Sequence, residues 1–228
     1  MNNHIVESYD EELNQLHLMI AHMGNDVCTA LENACDDLIS GDKERAKDII
    51  DQDKDINAQE QQINLKAQNI LALRAPMAND LRVVLTSLQV ASNLERVGDL
   101  VKNIAKINRR LGAPLASDIA APLKHMAQMS HSILLDSITA YNNKDESSSQ
   151  TIFEADDAVD QQHKSLSKII IRKMKTDDDD LEGLTSLLFV IRHLERIGDH
   201  AKNVAEATIY MCSGELNRFD MVDDSKDS

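Results

Sequence analysis

Apolar residues recur at threes and fours along almost the whole chain. In the first segment Leu13, Leu16, Ile20, Met23, Val27, Leu31, Ala34 and Leu38 fall on one face at helical spacing. The pattern predicts a helix from about His4 to Ser40, ended by Ser40-Gly41, with Asp42 capping the next. A second helix runs to about Arg74, where Ala75-Pro76 stops it. A third covers about Met77 to Leu111, and Gly112-Ala113-Pro114 then breaks the chain. The plan repeats: about Leu115 to Tyr141, a turn at Asn142-Asn143-Lys144-Asp145, about Glu146 to Lys175, and a last helix to about Cys212. Asp177 to Asp180 form the acidic start of the sixth helix, where they complement its dipole, and Gly214 is its C-cap.

The repetition is visible in the letters. Leu94-Glu95-Arg96-Val97-Gly98-Asp99-Leu100-Val101-Lys102-Asn103-Ile104-Ala105 returns one hundred residues later as Leu194-Glu195-Arg196-Ile197-Gly198-Asp199-His200-Ala201-Lys202-Asn203-Val204-Ala205, identical at eight of twelve positions. A weaker echo pairs Asp53-Lys54-Asp55-Ile56-Asn57 with Asp156-Asp157-Ala158-Val159-Asp160. The expected fold is therefore all-α, two tandem three-helix bundles: residues 1–112, residues 113–219, and a frayed acidic tail over residues 220–228.

Composition sharpens this picture. Gly (7) and Pro (3) are scarce, Trp is absent and aromatics are 3% of the 228 residues, so the core must be built from Leu, Ile, Val, Ala and Met. The nine methionines are expected to be core filler, not a binding groove. A net charge of −15 and a pI near 4.8 argue against nucleic acid and anionic membrane surfaces as partners. The longest apolar run, Leu187 to Ile191, is far short of the ~20 residues of a membrane span. The acidic stretch Met1 to Glu12 does not read as a signal peptide, and the expected location is the cytosol. Cys28 and Cys35 stand about 10.5 Å apart along one helix, too far for a disulfide. They are expected to be small buried apolar residues in a reducing compartment.

The repeated stripe carries the chemistry. Glu95, Asp99 and Asn103 are spaced by four, so each lies only about 40° round and about 6 Å on from the last. Glu195, Asp199 and Asn203 do the same. Asp53 and Asn57 on the second helix, and Asp156 and Asp160 on the fifth, can face them across an antiparallel seam. Crowded carboxylates repel, and a hard cation removes the conflict; all-oxygen sets suit Mg²⁺, Ca²⁺, Mn²⁺ or iron. A solvated acidic face is the plainer account of any single pair of this kind. The duplication, with a partner stripe in both halves, favours metal. A mid-helix glycine costs up to ~1 kcal/mol, so Gly98 and Gly198 imply a close approach by backbone or metal cluster. Arg96 and Arg196 are expected to bridge to a neighbouring helix. His163 nearly shares the face of Asp156, as Glu60 does that of Asp53, but reads first as a surface histidine; His193 and His200 have no counterpart in the first repeat.

Those two copies of the motif, with Arg74-Ala75-Pro76-Met77-Ala78-Asn79-Asp80-Leu81-Arg82, resemble the PhoU family over essentially the whole chain. The resemblance implies two three-helix bundles, often dimeric, and multinuclear iron or zinc clusters on paired E/D-x-x-x-D motifs. It implies negative regulation of the phosphate regulon, as an adaptor between the Pst phosphate ABC transporter, through its ATPase subunit, and the PhoR sensor kinase. By position the first site is Asp53, Asn57, Glu95, Asp99 and Asn103, and the second Asp156, Asp160, Glu195, Asp199 and Asn203. Asn57 departs from the pattern and implies weaker binding or fewer ions at the first site. Two other readings compete: an enzyme with a carboxylate-bridged metal pair, and a transport accessory independent of the kinase. Di-iron bundles supply Glu-x-x-His, which neither Glu95-Arg96-Val97-Gly98 nor Glu195-Arg196-Ile197-Gly198 does, and no P-loop or Ser-His-Asp set occurs. The chain is therefore expected not to be an enzyme.

Overall fold

The structure, a computed structural model, describes residues 2–112, 115–176 and 180–215. These form six helices: α1 Asn2–Ser40, α2 Ala46–Arg74, α3 Ala78–Arg110, α4 Ser117–Asn143, α5 Glu146–Met174 and α6 Leu181–Ser213. No strand occurs among the described residues. Asp177 to Asp179 and the acidic tail lie outside them.

Helix ends follow local chemistry, with one correction. Gly41, at φ 75°, closes α1 in the left-handed region that glycine enters without a Cβ penalty. Asp42 does not cap α2. Its carboxylate accepts from Glu44 N at 2.9 Å, which makes a turn of residues 43–45, and the helix starts only at Ala46. Asp145 is a true N-cap, accepting from the amides of Ser147 and Ser148, and Asp180 accepts from Gly183 N. Helix α4 runs two residues past Tyr141, to Asn143, and the left-handed Lys144 ends it. Gly214 terminates α6 as expected.

Helices α1, α2 and α3 pack on one another, and so do α4, α5 and α6. The halves then join through α1 against α4 and α3 against α6. Thr86 of α3 bonds to Ala207 O of α6, whereas Asn93 further along α3 meets His200 and Asn203 earlier on α6. The two repeated helices are thus antiparallel. The Ser87 and Tyr141 hydroxyls share a hydrogen bond at 2.8 Å, and the Tyr141 ring stacks on His17 at 5.5 Å. One apolar core, with Leu16, Ile20, Leu94, Leu134, Ile191 and Leu194 fully enclosed, runs through both bundles. Because α1, α3, α4 and α6 meet at the middle, α2 and α5 are left on opposite outer sides, each facing one copy of the repeated stripe. Cys28 and Cys35 are buried free thiols, and burial pushes both up to about 12.

Candidate metal centre

The α2/α3 seam brings Asp53, Glu95 and Asp99 together as the spacing predicts. Asp53 is buried, and one of its oxygens, Oδ2, takes Lys102 Nζ at 2.9 Å. Lys102 also donates to Asp99 Oδ1, so a single ammonium bridges the two helices. Burial pulls the Lys102 pKa down, but the Asp99 and Asp53 carboxylates outweigh it and leave the ammonium more firmly protonated than usual. Arg96 does not cross to a neighbouring helix: it stands 3.5 Å from Glu95 Oε2 and 3.8 Å from Asp99 Oδ2 on its own. Glu95 is nonetheless pushed up, first by burial, with Asp99, Glu60 and Asp53 adding to it against Arg96. Asp53 Oδ1 and Asn57 Oδ1 are buried with no hydrogen-bond partner. Asn103 is half-buried and shares no hydrogen bond with the others.

The α5/α6 seam holds Asp156, Asp160, Glu195 and Asp199 within mutual electrostatic reach. Asp156 is buried and receives no hydrogen bond. Its acid is pushed up to about 6, first by burial, then by Asp199, with Lys202 opposing and Asp160 and Asp157 reinforcing. Glu195 Oε1 takes Arg192 Nη1 at 2.7 Å, while its buried Oε2 has no partner. Burial, then Asp199, raises its pKa despite Arg192. His163 is half-buried beside this set, its pKa lowered by burial and then by Arg192, against Asp160. Asn203 is not gathered here: its amide donates to Asn93 of α3 at 3.1 Å, across the central seam, beside His200 Nδ1 on the same oxygen at 2.9 Å.

Gly98 and Gly198 are both sites of close approach, by different atoms. A Cβ at Gly98 would stand 3.1 Å from Ile56 Cγ2, and one at Gly198 only 2.7 Å from Asp156 Oδ1. The second glycine therefore leaves room for a carboxylate.

Among the described residues, no three His, Cys, Asp or Glu side chains converge tightly enough to hold one ion as they stand. The donors still fit a hard cation: Asp53 Oδ1 and Glu195 Oε2 are orphaned buried oxygens, and Asp156 is a buried carboxylate with nothing bonded to it. The spacing did not single out Lys102, Lys202 or Phe153. The signal for the lysines was present, since each follows its aspartate by three, one short turn along the same face.

The comparisons with known proteins fall on this same architecture. The sequence profile of the PhoU domain matches residues 20–107 and again 123–208, one copy in each half. The chain belongs to the PhoU family. It is 37% identical over 214 residues to the phosphate-specific transport system accessory protein PhoU homolog of Xylella fastidiosa, covering 94% of this chain and 89% of that one. It is 34% identical over 208 residues to the homolog of the same description in Streptococcus pneumoniae, covering 91% and 96%. The crystal structure of the phosphate transport system regulatory protein PhoU from S. pneumoniae superposes at a TM-score of 0.86, over 92% of this chain and all of that one. PhoU from Pseudomonas aeruginosa gives the same TM-score at 27% identity, over 91% and 100%. These relatives are named as accessory or regulatory proteins of phosphate transport, and no helix of the described chain is long and apolar enough to cross a membrane.

Proposed function

We propose that this chain is a cytoplasmic negative regulator of the phosphate regulon. It acts as a homodimeric adaptor between the ATPase subunit of the Pst phosphate transporter and the PhoR kinase, with hard cations held on its paired stripes. The observation that carries the reading is the PhoU match in both halves, over whole-length relatives whose names place them with the phosphate transport system. Each half pairs a repeated stripe on α3 or α6 with carboxylates on an outer helix, so the two ion sites lie on the flanks, away from the central α3/α6 seam. An ion on a flank ties the outer helix to the middle of the molecule. That makes it suited to setting the shape of a docking surface. Multinuclear iron or zinc follows the family pattern, and the oxygen donors equally accept Mn²⁺, Mg²⁺ or Ca²⁺.

Deletion of the gene tests the regulatory reading. Expression of phosphate-starvation genes should rise in phosphate-rich medium, and re-expression of the intact chain should restore repression. Unchanged expression in the deletion strain rejects the role, and a pull-down that returns the transporter without the kinase assigns the chain to transport alone.

A further inference from the structure

We propose that the two stripes are unequal cation sites, with Asp156, Asp160, Glu195 and Asp199 forming the tight one, and that Lys102 and Phe153 set the difference. This rests on reading the stripes as cation sites.

The repeat places a lysine at the same point in both halves, yet the two ammonium groups do different things. Lys102 lies between Asp53 and Asp99 and bonds to both. With Arg96 beside Glu95 and Asp99, all three close carboxylates of the first seam already face a cation supplied by the chain. A metal ion entering there must first displace a lysine whose side chain is only 20% exposed.

Lys202 instead holds its ammonium over the Phe153 ring, 5.7 Å from the centroid. Phe153 precedes Asp156 by three residues. The residue that precedes Asp53 by three is Ile50, which offers no π face. Drawn to the ring, Lys202 leaves Asp156 without a hydrogen bond although that residue is only 8% exposed. Glu195 Oε2 is likewise buried and unbonded, and Asp160 supplies a charge where the first stripe has the neutral Asn57. Arg192 holds only the other oxygen of Glu195, so the second seam keeps a buried Asp156 carboxylate and a buried Glu195 Oε2 with no ammonium bonded between its helices, the condition that a hard divalent cation satisfies. Asn57 alone would make the first site weaker by one charge. Lys102, with Arg96, offsets two of its three carboxylate charges and occupies the space between them.

Calorimetric titration of the metal-stripped full-length chain with Mn²⁺ tests this. The wild type should show one tight class and a second at least tenfold weaker. Lys102→Met should tighten the weak class at least tenfold. Phe153→Ile should weaken the tight class at least tenfold, by freeing Lys202 to bridge Asp156 and Asp199, while Phe153→Tyr, which keeps the ring, should bind as the wild type does. Circular dichroism confirms that each variant is folded, and the two phenylalanine variants carry the test if Lys102→Met is not. Two equal classes in the wild type, unmoved by the substitutions, overturn the inequality and leave the cation reading standing. No Mn²⁺ bound by any variant overturns both.

Discussion

The first and second seams are built from the same sequence motif and solve the same electrostatic problem differently. In α2/α3 an ammonium sits between two carboxylates; in α5/α6 the equivalent ammonium rests on an aromatic ring and a buried carboxylate is left alone. The motif itself, Glu-Arg-x-Gly-Asp with a lysine three residues on, is the same in both. What separates the lysines and the buried aspartates lies on the facing helices, where Ile50 and Asn57 stand against Phe153 and Asp160, while on the stripe's own helix Ser92 stands against Arg192. A duplicated motif therefore specifies a stripe, and the helix packed against it decides what the stripe can hold.

The sharpest way to break this comparison is to neutralise the buried aspartate of each outer helix in metal-free protein. Asp53→Asn removes one of the two carboxylates that hold Lys102 and should cost about 1–3 kcal/mol. Asp156→Asn should do the opposite at neutral pH. With its folded pKa raised to about 6, against about 3.9 when unfolded, Asp156 binds its proton more tightly in the folded chain. It therefore costs nothing below about pH 4, and stability falls as pH rises from about 4 to 6 and stays lower above that. The loss is up to about 3 kcal/mol, and Asp156→Asn should abolish this fall. Urea denaturation at pH 4, 5, 6 and 7 reads both variants, and a loss of the same sign and size in the two would mean the seams are equivalent.

A smaller effect separates the two glycines. Gly98→Ala brings a methyl against the β-branched Ile56, which is enclosed and cannot easily yield. The overpacking outweighs the gain in helix propensity, for a net loss of about 1 kcal/mol. Gly198→Ala meets only the end of the Asp156 side chain, which can turn aside. Thermal stability should then hold or rise by up to about 1 kcal/mol, while Mn²⁺ affinity falls because the displaced carboxylate no longer points into the seam. Equal melting shifts for the two alanine variants would place the same kind of contact at both glycines.

Much of the molecule could be read before any coordinates. Six helices, their order and the pairing of Asp53 with Asp99 follow from periodicity and the hundred-residue echo, because long amphipathic helices with few competing breakers leave little choice of fold. What spacing could not settle was direction within the stripe. Asn203 follows Asp199 by four, yet the residue drifts about 40° round the helix and finds Asn93 on the opposite neighbour. Arg96 likewise found its acids on its own helix, where Glu95 and Asp99 are within one turn. The choice between Asp42 and the later start at Ala46 depended on a carboxylate satisfying a turn amide instead of a helical one. Each of these is a competition between partners of similar chemistry, decided by geometry that the one-dimensional pattern does not contain.

The inequality of the seams is tested most directly by counting ions. Wild-type chain, Asp99→Ala and Asp199→Ala are each stripped, given one equivalent of Mn²⁺, freed of excess by gel filtration and assayed for bound manganese by mass spectrometry. Asp99→Ala should keep close to the wild-type content, and Asp199→Ala should lose most of it. Retention by Asp199→Ala together with loss from Asp99→Ala, or an equal loss from both, would contradict the account.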